Sequence, residues 1–292
     1  MDVRCRAMFE GREIARDLVD EGCETAIEGG ETGMKRTLRD CVYGQAVADA
    51  LGVPYEFRPR GSFRCTDMVG HGSHDQPAGT WSDDTSMALA ICDSYRELGR
   101  IDVDDIRGRF VRWYREGAYT VDGLFDVGNA TREALERGRG LAGEWDNGNG
   151  SLMRTVPLAF TDATDDEVRA VSATTHAHPT STEACVAMVH IARDLIAGAS
   201  PADVAGDIAA RPVDEIGSSG FVRHTFDAAL WCLAITSSYA ECALAAVNLG
   251  DDTDTTAAVA GALAGIVYGV EGIPSEWLDK LRGTGVIESC LF

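Results

Sequence analysis

The stretch "NLGDDTDTTAAVAGALAGIVYG", residues 248–269, changes character halfway. Asp251, Asp252 and Asp254 alternate with Thr253, Thr255 and Thr256, and then the chain turns to Ala, Val, Leu, Ile and Gly. From Ala257 to Val270 it is apolar on every side, which marks a helix at the centre of a helical protein. Gly261 and Gly265 stand one helical turn apart, so another helix can approach closely there. A dense cluster of small acids is therefore predicted at the N-terminus of the most buried helix.

Working outward, helical periodicity dominates from Arg36 onward. "MALAICDSYREL" places Met87, Ile91, Tyr95 and Leu98 on one face. "EACVAMVHIARDLI" and "FDAALWCLAITSSYAECALAAV" predict two longer apolar-faced helices. Convincing strands, fixed-period repeats and low-complexity linkers are absent from the sequence. The fold class is all-α, a compact multi-helix domain over residues 34–292. Residues 1–33 are charged and weakly patterned, and are expected to form an extension outside that domain.

The chain has 292 residues, enough for a substantial core, with a net charge of −21. Such an acidic surface repels phosphate backbones, which makes nucleic acid an unlikely partner. A small anionic ligand is still compatible if metals or backbone amides offset the field. Nine cysteines occur without a CxxC pair, so neither a zinc site nor a disulfide framework is signalled. They read as reduced, buried thiols. The longest apolar run is too short and too rich in glycine to span a bilayer. A cytoplasmic monomer with no membrane partner is the expectation.

Polar, glycine-rich loops punctuate the helices. In "GTWSDDTSMALA", Ser82, Asp83, Asp84 and Thr85 open an apolar helix, as Asp252, Asp254 and Thr255 do in the stretch above. Either motif alone is explained by helix capping, because Ser, Asp and Thr cap helices and acids suit their positive ends. Two acidic pairs with flanking hydroxyls exceed what caps require. Carboxylate and hydroxyl oxygens are ligands for hard ions such as Mg²⁺ or Mn²⁺. A calcium EF-hand fits badly, since counting from Asp252 puts Ala257 where its loop needs Gly and Leu263 where it needs Glu. Four of these aspartates plus one further acid, with Glu56 in "GQAVADALGVPYEF" as the candidate, carry five negative charges against the four positive charges of two divalent ions. The loop "NGNGSLMRTVP", residues 147–157, has glycines that permit positive φ, and it suits phosphate, with Arg154 adding charge. In "ATTHAHPT", His176 is either a ligand contact or a structural histidine.

Taken in order, "GQAVADALGVPYEF", "TWSDDTSMAL", "FDVGNATREAL", "NGNGSLMRTVPLA", "TH" and "NLGDDTDTTAAVAGALAGIVYG" resemble the ADP-ribosylglycohydrolase family, and within it the bacterial dinitrogenase reductase-activating glycohydrolases. The resemblance covers roughly residues 36–285. It implies an all-α fold with two Mg²⁺ or Mn²⁺ ions at the base of a cleft. The implied metal ligands are Ser82, Asp83, Asp84, Asp252, Asp254 and Thr255, with Glu56 on a loop beside them. Glu56, Asp83, Asp84 and Asp252 are the implied catalytic set. Gly148, Asn149, Gly150, Ser151, Met153 and Arg154 are implied to hold the phosphates and distal ribose of ADP-ribose. His176 matches a substrate-contacting histidine, and Asp126 in "FDVGNAT" a loop that faces an arginine guanidinium.

The implied reaction is hydrolysis of the N-glycosidic bond of ADP-ribosylated arginine in proteins, releasing ADP-ribose. A metal pair suits it, because the ribose cis-diol offers two neutral oxygens to chelate. Glu56 or a metal-activated water is then placed to assist cleavage. The alternatives are another ADP-ribose linkage (serine or O-linked), a small ADP-ribosyl metabolite, or a non-catalytic ADP-ribose-binding protein. Two positions depart from the family pattern. Ser82 replaces a threonine and keeps the hydroxyl. Asp251 replaces a glycine, and if that position takes positive φ, aspartate is among its less costly substitutes.

Overall fold

A computed structural model describes Arg36–Phe292, and the predicted 1–33 extension lies outside the described residues. The helices in chain order are α1 Leu38–Gly52, α2 Asp83–Leu98, α3 Val103–Glu116, α4 Asn129–Arg137, α5 Asp165–Ser172, α6 Pro179–Ile196, α7 Pro201–Ala205, α8 Val222–Ile235, α9 Tyr239–Val247, α10 Thr253–Tyr268, α11 Ser275–Lys280 and α12 Thr284–Cys290. Among the described residues, β-structure is limited to isolated bridges such as Leu141 with His176 and Gly148 with Phe221. The all-α expectation holds. None of the described helices is long and apolar enough to cross a membrane.

Helix α10 is the hub, buried continuously from Thr253 to Ile266. Its main partner is α1, and the pair runs antiparallel, with Asp40 beside Gly265, Gly44 beside Gly261 and Gly52 beside Asp254. The glycines are what permit this approach. A Cβ on Gly265 would lie 2.1 Å from the Asp40 carbonyl oxygen, and one on Gly44 would lie 2.3 Å from that of Gly261. Gly44 is the partner that the spacing of Gly261 and Gly265 called for. The Tyr239 hydroxyl adds a hydrogen bond to the Gly44 carbonyl at 2.6 Å. Antiparallel packing has a consequence for the site: it sets the C-terminus of α1, and Glu56 just beyond it, against the N-terminus of α10.

One predicted helix and one predicted stripe need correction. "FDAALWCLAITSSYAECALAAV" is α8 and α9 rather than one helix. Thr236 is extended, and the Ser238 side chain accepts from the Glu241 amide to start a new helix. The predicted stripe on α2 is buried at Met87 and Ile91, yet it ends in an exposed Leu98.

Candidate active site

The N-termini of α2 and α10 converge, and Asp49 of α1 reaches the same place. Ser82 caps α2, its side chain accepting from the Asp84 amide. It also donates to Asp84 Oδ2 at 2.8 Å. Thr255 Oγ1 on α10 donates to the same oxygen at 3.4 Å, joining the two acidic motifs. Capping accounts for Ser82 but not for the acids. Asp252 occupies the N-cap position of α10 without a side-chain cap hydrogen bond. Its Oδ2 accepts from Asn149 Nδ2 at 2.8 Å. Asp84 Oδ1, Asp252 Oδ1 and Asp254 Oδ2 are buried and lack any partner. A buried, unpaired carboxylate oxygen is strongly disfavoured unless a cation or a proton neutralises it.

Two sets of side chains bring one ligand atom each within 4.8 Å of one another: Asp49, Asp84 and Asp254, and Glu56, His74, Asp126 and Asp254. Asp254 is common to both. These residues fit a divalent cation by donor chemistry and by the orphaned oxygens just named. Asp83 stands beside them, its Oδ2 accepting from the Gly128 amide at 3.5 Å.

Burial and mutual repulsion push the carboxyls upward. Asp83, Asp84 and Asp254 lie well above the usual carboxylate range, first through burial and then through neighbouring acids. Asp126 and Asp252 are also raised by burial. Glu56 is pushed up to about 7 by burial, opposed by its hydrogen bond to His74.

Asp49 and His74 were missed by sequence reasoning. Asp49 is fully buried within α1 and accepts from the Ser82 amide at 2.9 Å, the Thr85 amide at 3.1 Å and Thr85 Oγ1 at 2.6 Å. It thus anchors the N-terminus of α2 from another helix. The signal for it is an acid in "AVADALG", where neighbouring turns are apolar. His74 lies in the polar loop before Trp81, and nothing in its spacing pointed to Glu56.

The glycine-rich loop requires the largest correction. Gly148 and Gly150 do not take positive φ. They are small because His176 packs against them: a Cβ on Gly150 would lie 2.7 Å from the imidazole Cε1. Asn149 is held by its amide to the Gly220 carbonyl at 3.0 Å and by its side chain to Asp252. Ser151, Met153 and Arg154 turn inward in a tight 3₁₀ turn and are buried at 0%, 2% and 0% exposure. Arg154 bonds to the Gly150 carbonyl at 2.5 Å, Thr175 Oγ1 at 2.8 Å and Thr174 Oγ1 at 3.1 Å, over the Phe110 ring. It supports the loop from behind, with its donors spent on the protein's own groups. Burial lowers it to about 10. His176 is likewise behind the loop, bonded through Nδ1 to Thr175 Oγ1 at 2.8 Å. Burial, and then the Arg154 charge, lower it to about 3, so its ring is neutral.

Asp251 has φ of 60°, the left-handed geometry that makes its family glycine understandable. Its side chain is exposed. Its backbone forms a reciprocal pair, with the Phe57 amide donating to the Asp251 carbonyl at 2.7 Å and the Asp251 amide to the Arg58 carbonyl at 2.8 Å.

Fold and site together define an all-α protein with an acidic, cation-accepting cleft at the meeting of helix N-termini. Residues 31–291 match the family model for ADP-ribosylglycohydrolase, and the chain belongs to the ADP-ribosylglycohydrolase family of hydrolases. It is 38% identical to ADP-ribosylarginine hydrolase Tri1 of Pseudomonas putida (strain GB-1), over 96% of this chain and 82% of that one. It is 34% identical to ADP-ribosyl-[dinitrogen reductase] glycohydrolase of Rhodospirillum rubrum, over 82% and 87% respectively. The solved structure of an ADP-ribosylglycohydrolase-related protein complex superposes with a TM-score of 0.75 at 32% identity, over 88% of this chain and 96% of its own.

Proposed function

We propose that the protein is a Mg²⁺- or Mn²⁺-dependent hydrolase that removes ADP-ribose from arginine in proteins, acting in the cytoplasm. The observation that carries this reading is the trio of buried, unpartnered oxygens on Asp84, Asp252 and Asp254, where two helix N-termini meet. Asp84, Asp252, Asp254, Ser82 and Thr255 would hold two ions, with Asp83 alongside and Asp49 supporting them from α1. When bound, the ions supply a chelating grip on the ribose diol and offset charge near the anomeric carbon.

The remaining work falls to the chain's own groups. Asn149 fixes Asp252 and closes one wall of the cleft. Glu56, shifted to about 7 by burial, exchanges a proton near neutral pH and is suited to general acid–base assistance. The loop from Gly148 to Gly150 offers its backbone to the nucleotide part, with Arg154 and His176 stiffening it from behind. Asp126 beside Glu56 presents negative charge to a guanidinium leaving group. The name of the Pseudomonas putida relative, an ADP-ribosylarginine hydrolase, favours that linkage over others.

The test is release of ADP-ribose from an ADP-ribosylated arginine substrate, with and without Mn²⁺. Activity should require the metal, and Asp252→Ala should lose about 100-fold or more in kcat/KM. Equal rates for wild type and Asp252→Ala would sink the metal mechanism. Asp126→Ala should impair the arginine substrate more than an O-linked one, and an equal effect on both would remove the case for arginine.

A further inference from the structure

Glu56 is set in an unusual backbone frame. Five non-glycine residues among those described have positive φ, and four of them surround Glu56: Phe57, His71, Asp75 and Asp251. Left-handed geometry is unfavourable for residues with a Cβ, and it persists where surrounding contacts impose it. On one side, the Phe57 amide donates to the Asp251 carbonyl and the Asp251 amide donates to the Arg58 carbonyl, as described above. On the other, the turn His71–Gln76 closes through the His71 amide and the Gln76 carbonyl. Gly72 lies so close to Pro54 that a Cβ there would sit 2.0 Å from the Pro54 carbonyl oxygen. Ser73 Oγ donates to the Glu56 carbonyl at 2.5 Å.

This turn delivers His74. Its Nε2 meets Glu56 Oε2, with both side chains largely shielded from solvent. The ring lies between Phe57 and Phe125, with centroids 5.8 and 5.3 Å away. The His74 carbonyl accepts from Gln76 Nε2 at 3.1 Å. Backbone and ring are therefore both fixed, and the imidazole has little freedom to choose another partner. Asp49, Asp83, Asp84, Asp126, Asp252 and Asp254 form the rest of the acidic cleft, and His74 is the basic side chain recorded in contact with Glu56.

We propose that His74 is a positioning residue for Glu56, clamped by the His71–Gln76 turn and the two phenylalanines so that the carboxylate is held at one place in the cleft. The inference rests on the reading of Glu56 as the residue that assists bond cleavage. A donor fixed to Oε2 leaves Oε1 without that partner and competes with a cation for Glu56, whose carboxylate already lies within 4.8 Å of ligand oxygens of Asp126 and Asp254. Without that donor, Glu56 becomes free to rotate and to serve as an additional metal ligand.

The experiment compares His74→Ala, His74→Phe and His74→Gln, each with Glu56 intact and with Glu56→Gln. It follows kcat and KM for ADP-ribose release, and Mn²⁺ affinity by electron paramagnetic resonance titration. His74→Ala and His74→Phe should lower kcat about tenfold or more, with KM within about twofold. His74→Gln keeps a donor and should recover most of the loss. Phe keeps an aromatic ring against Phe57 and Phe125, so this arm stands if the alanine variant fails to fold. With the carboxylate released, Mn²⁺ should bind about threefold or more tightly in His74→Ala, and that gain should vanish on Glu56→Gln. An unchanged kcat, an unchanged Mn²⁺ affinity, or a His74→Ala effect that persists undiminished without the Glu56 carboxylate overturns the proposal. If wild type ignores arginine-linked ADP-ribose but cleaves another linkage, the arginine reading fails and the His74 comparison proceeds on that substrate. The Mn²⁺ titration needs no turnover at all.

Discussion

Asp49 illustrates how one buried side chain can serve both a fold and a site. Its two oxygens accept three donors from the start of α2, and this fixes the backbone that carries Ser82, Asp83 and Asp84. Burial lifts it to about 6, opposed first by the Thr85 hydroxyl. Removing it leaves those donors unmet and the Asp84 carboxylate less well oriented. Asp49→Ala is expected to weaken Mn²⁺ binding by about 10- to 100-fold, the range seen when groups supporting a metal ligand are removed. Calorimetric titration would show this, and wild-type affinity in the variant would mean that Asp49 is a cap and nothing more. Arg154 shows the converse. A cation in a glycine-rich loop suggests phosphate binding, but its donors go to Gly150, Thr174 and Thr175 on the protein's own side.

The pairing of α1 with α10 decides where the chemistry can be. Gly44, Gly261 and Gly265 let the backbones touch, and the antiparallel direction brings Gly52 against Asp254. Thr253 Oγ1 then bonds to the Gly52 carbonyl at 2.8 Å, tying the two helix ends together. A side chain at Gly44 would have to force the helices apart, because its obstacles are backbone atoms. Gly44→Val should therefore destabilise the protein on the order of 3 kcal/mol, in the upper part of the overpacking range. A shift in the urea midpoint would measure this. A loss below about 0.5 kcal/mol, the level of an ordinary surface substitution, would show that the helix contact is softer than its geometry implies.

Across the molecule, the acidic cleft opposes folding until cations or protons neutralise it. Glu56 and Asp49, raised to about 7 and about 6, hold their protons more tightly in the folded state than in the unfolded chain. Such groups favour the fold below their unfolded pKa, and the benefit is lost as pH rises through the folded value. For these two the window runs from the ordinary carboxylate range up to about pH 7. With chelator present, the melting temperature should fall between pH 5 and pH 8. Added Mn²⁺ should raise it more at pH 8 than at pH 5, because binding to the folded state stabilises it and deprotonated ligands bind best. Differential scanning fluorimetry would test this. A metal-induced gain equal at both pH values would contradict the account.

The sequence by itself determined the all-α class, the buried central helix and the two acidic motifs. Apolar periodicity and residue type are local properties, and Ser82, Asp83, Asp84, Asp252 and Asp254 are close in sequence to the helix starts they occupy. The left-handed backbone at Asp251 was only a condition raised by the family glycine at that position, and the structure supplied its φ of 60°. Tertiary structure alone decided which acids are brought together. Asp49 looks like one polar residue in a helix until the antiparallel packing of α1 and α10 sets it beside Asp84 and Asp254. His74 became a partner of Glu56 only through a strained turn whose contacts are non-local. The same holds for Arg154 and His176: composition marked their loops as polar, but which face of the loop each side chain takes depends on the packing behind it.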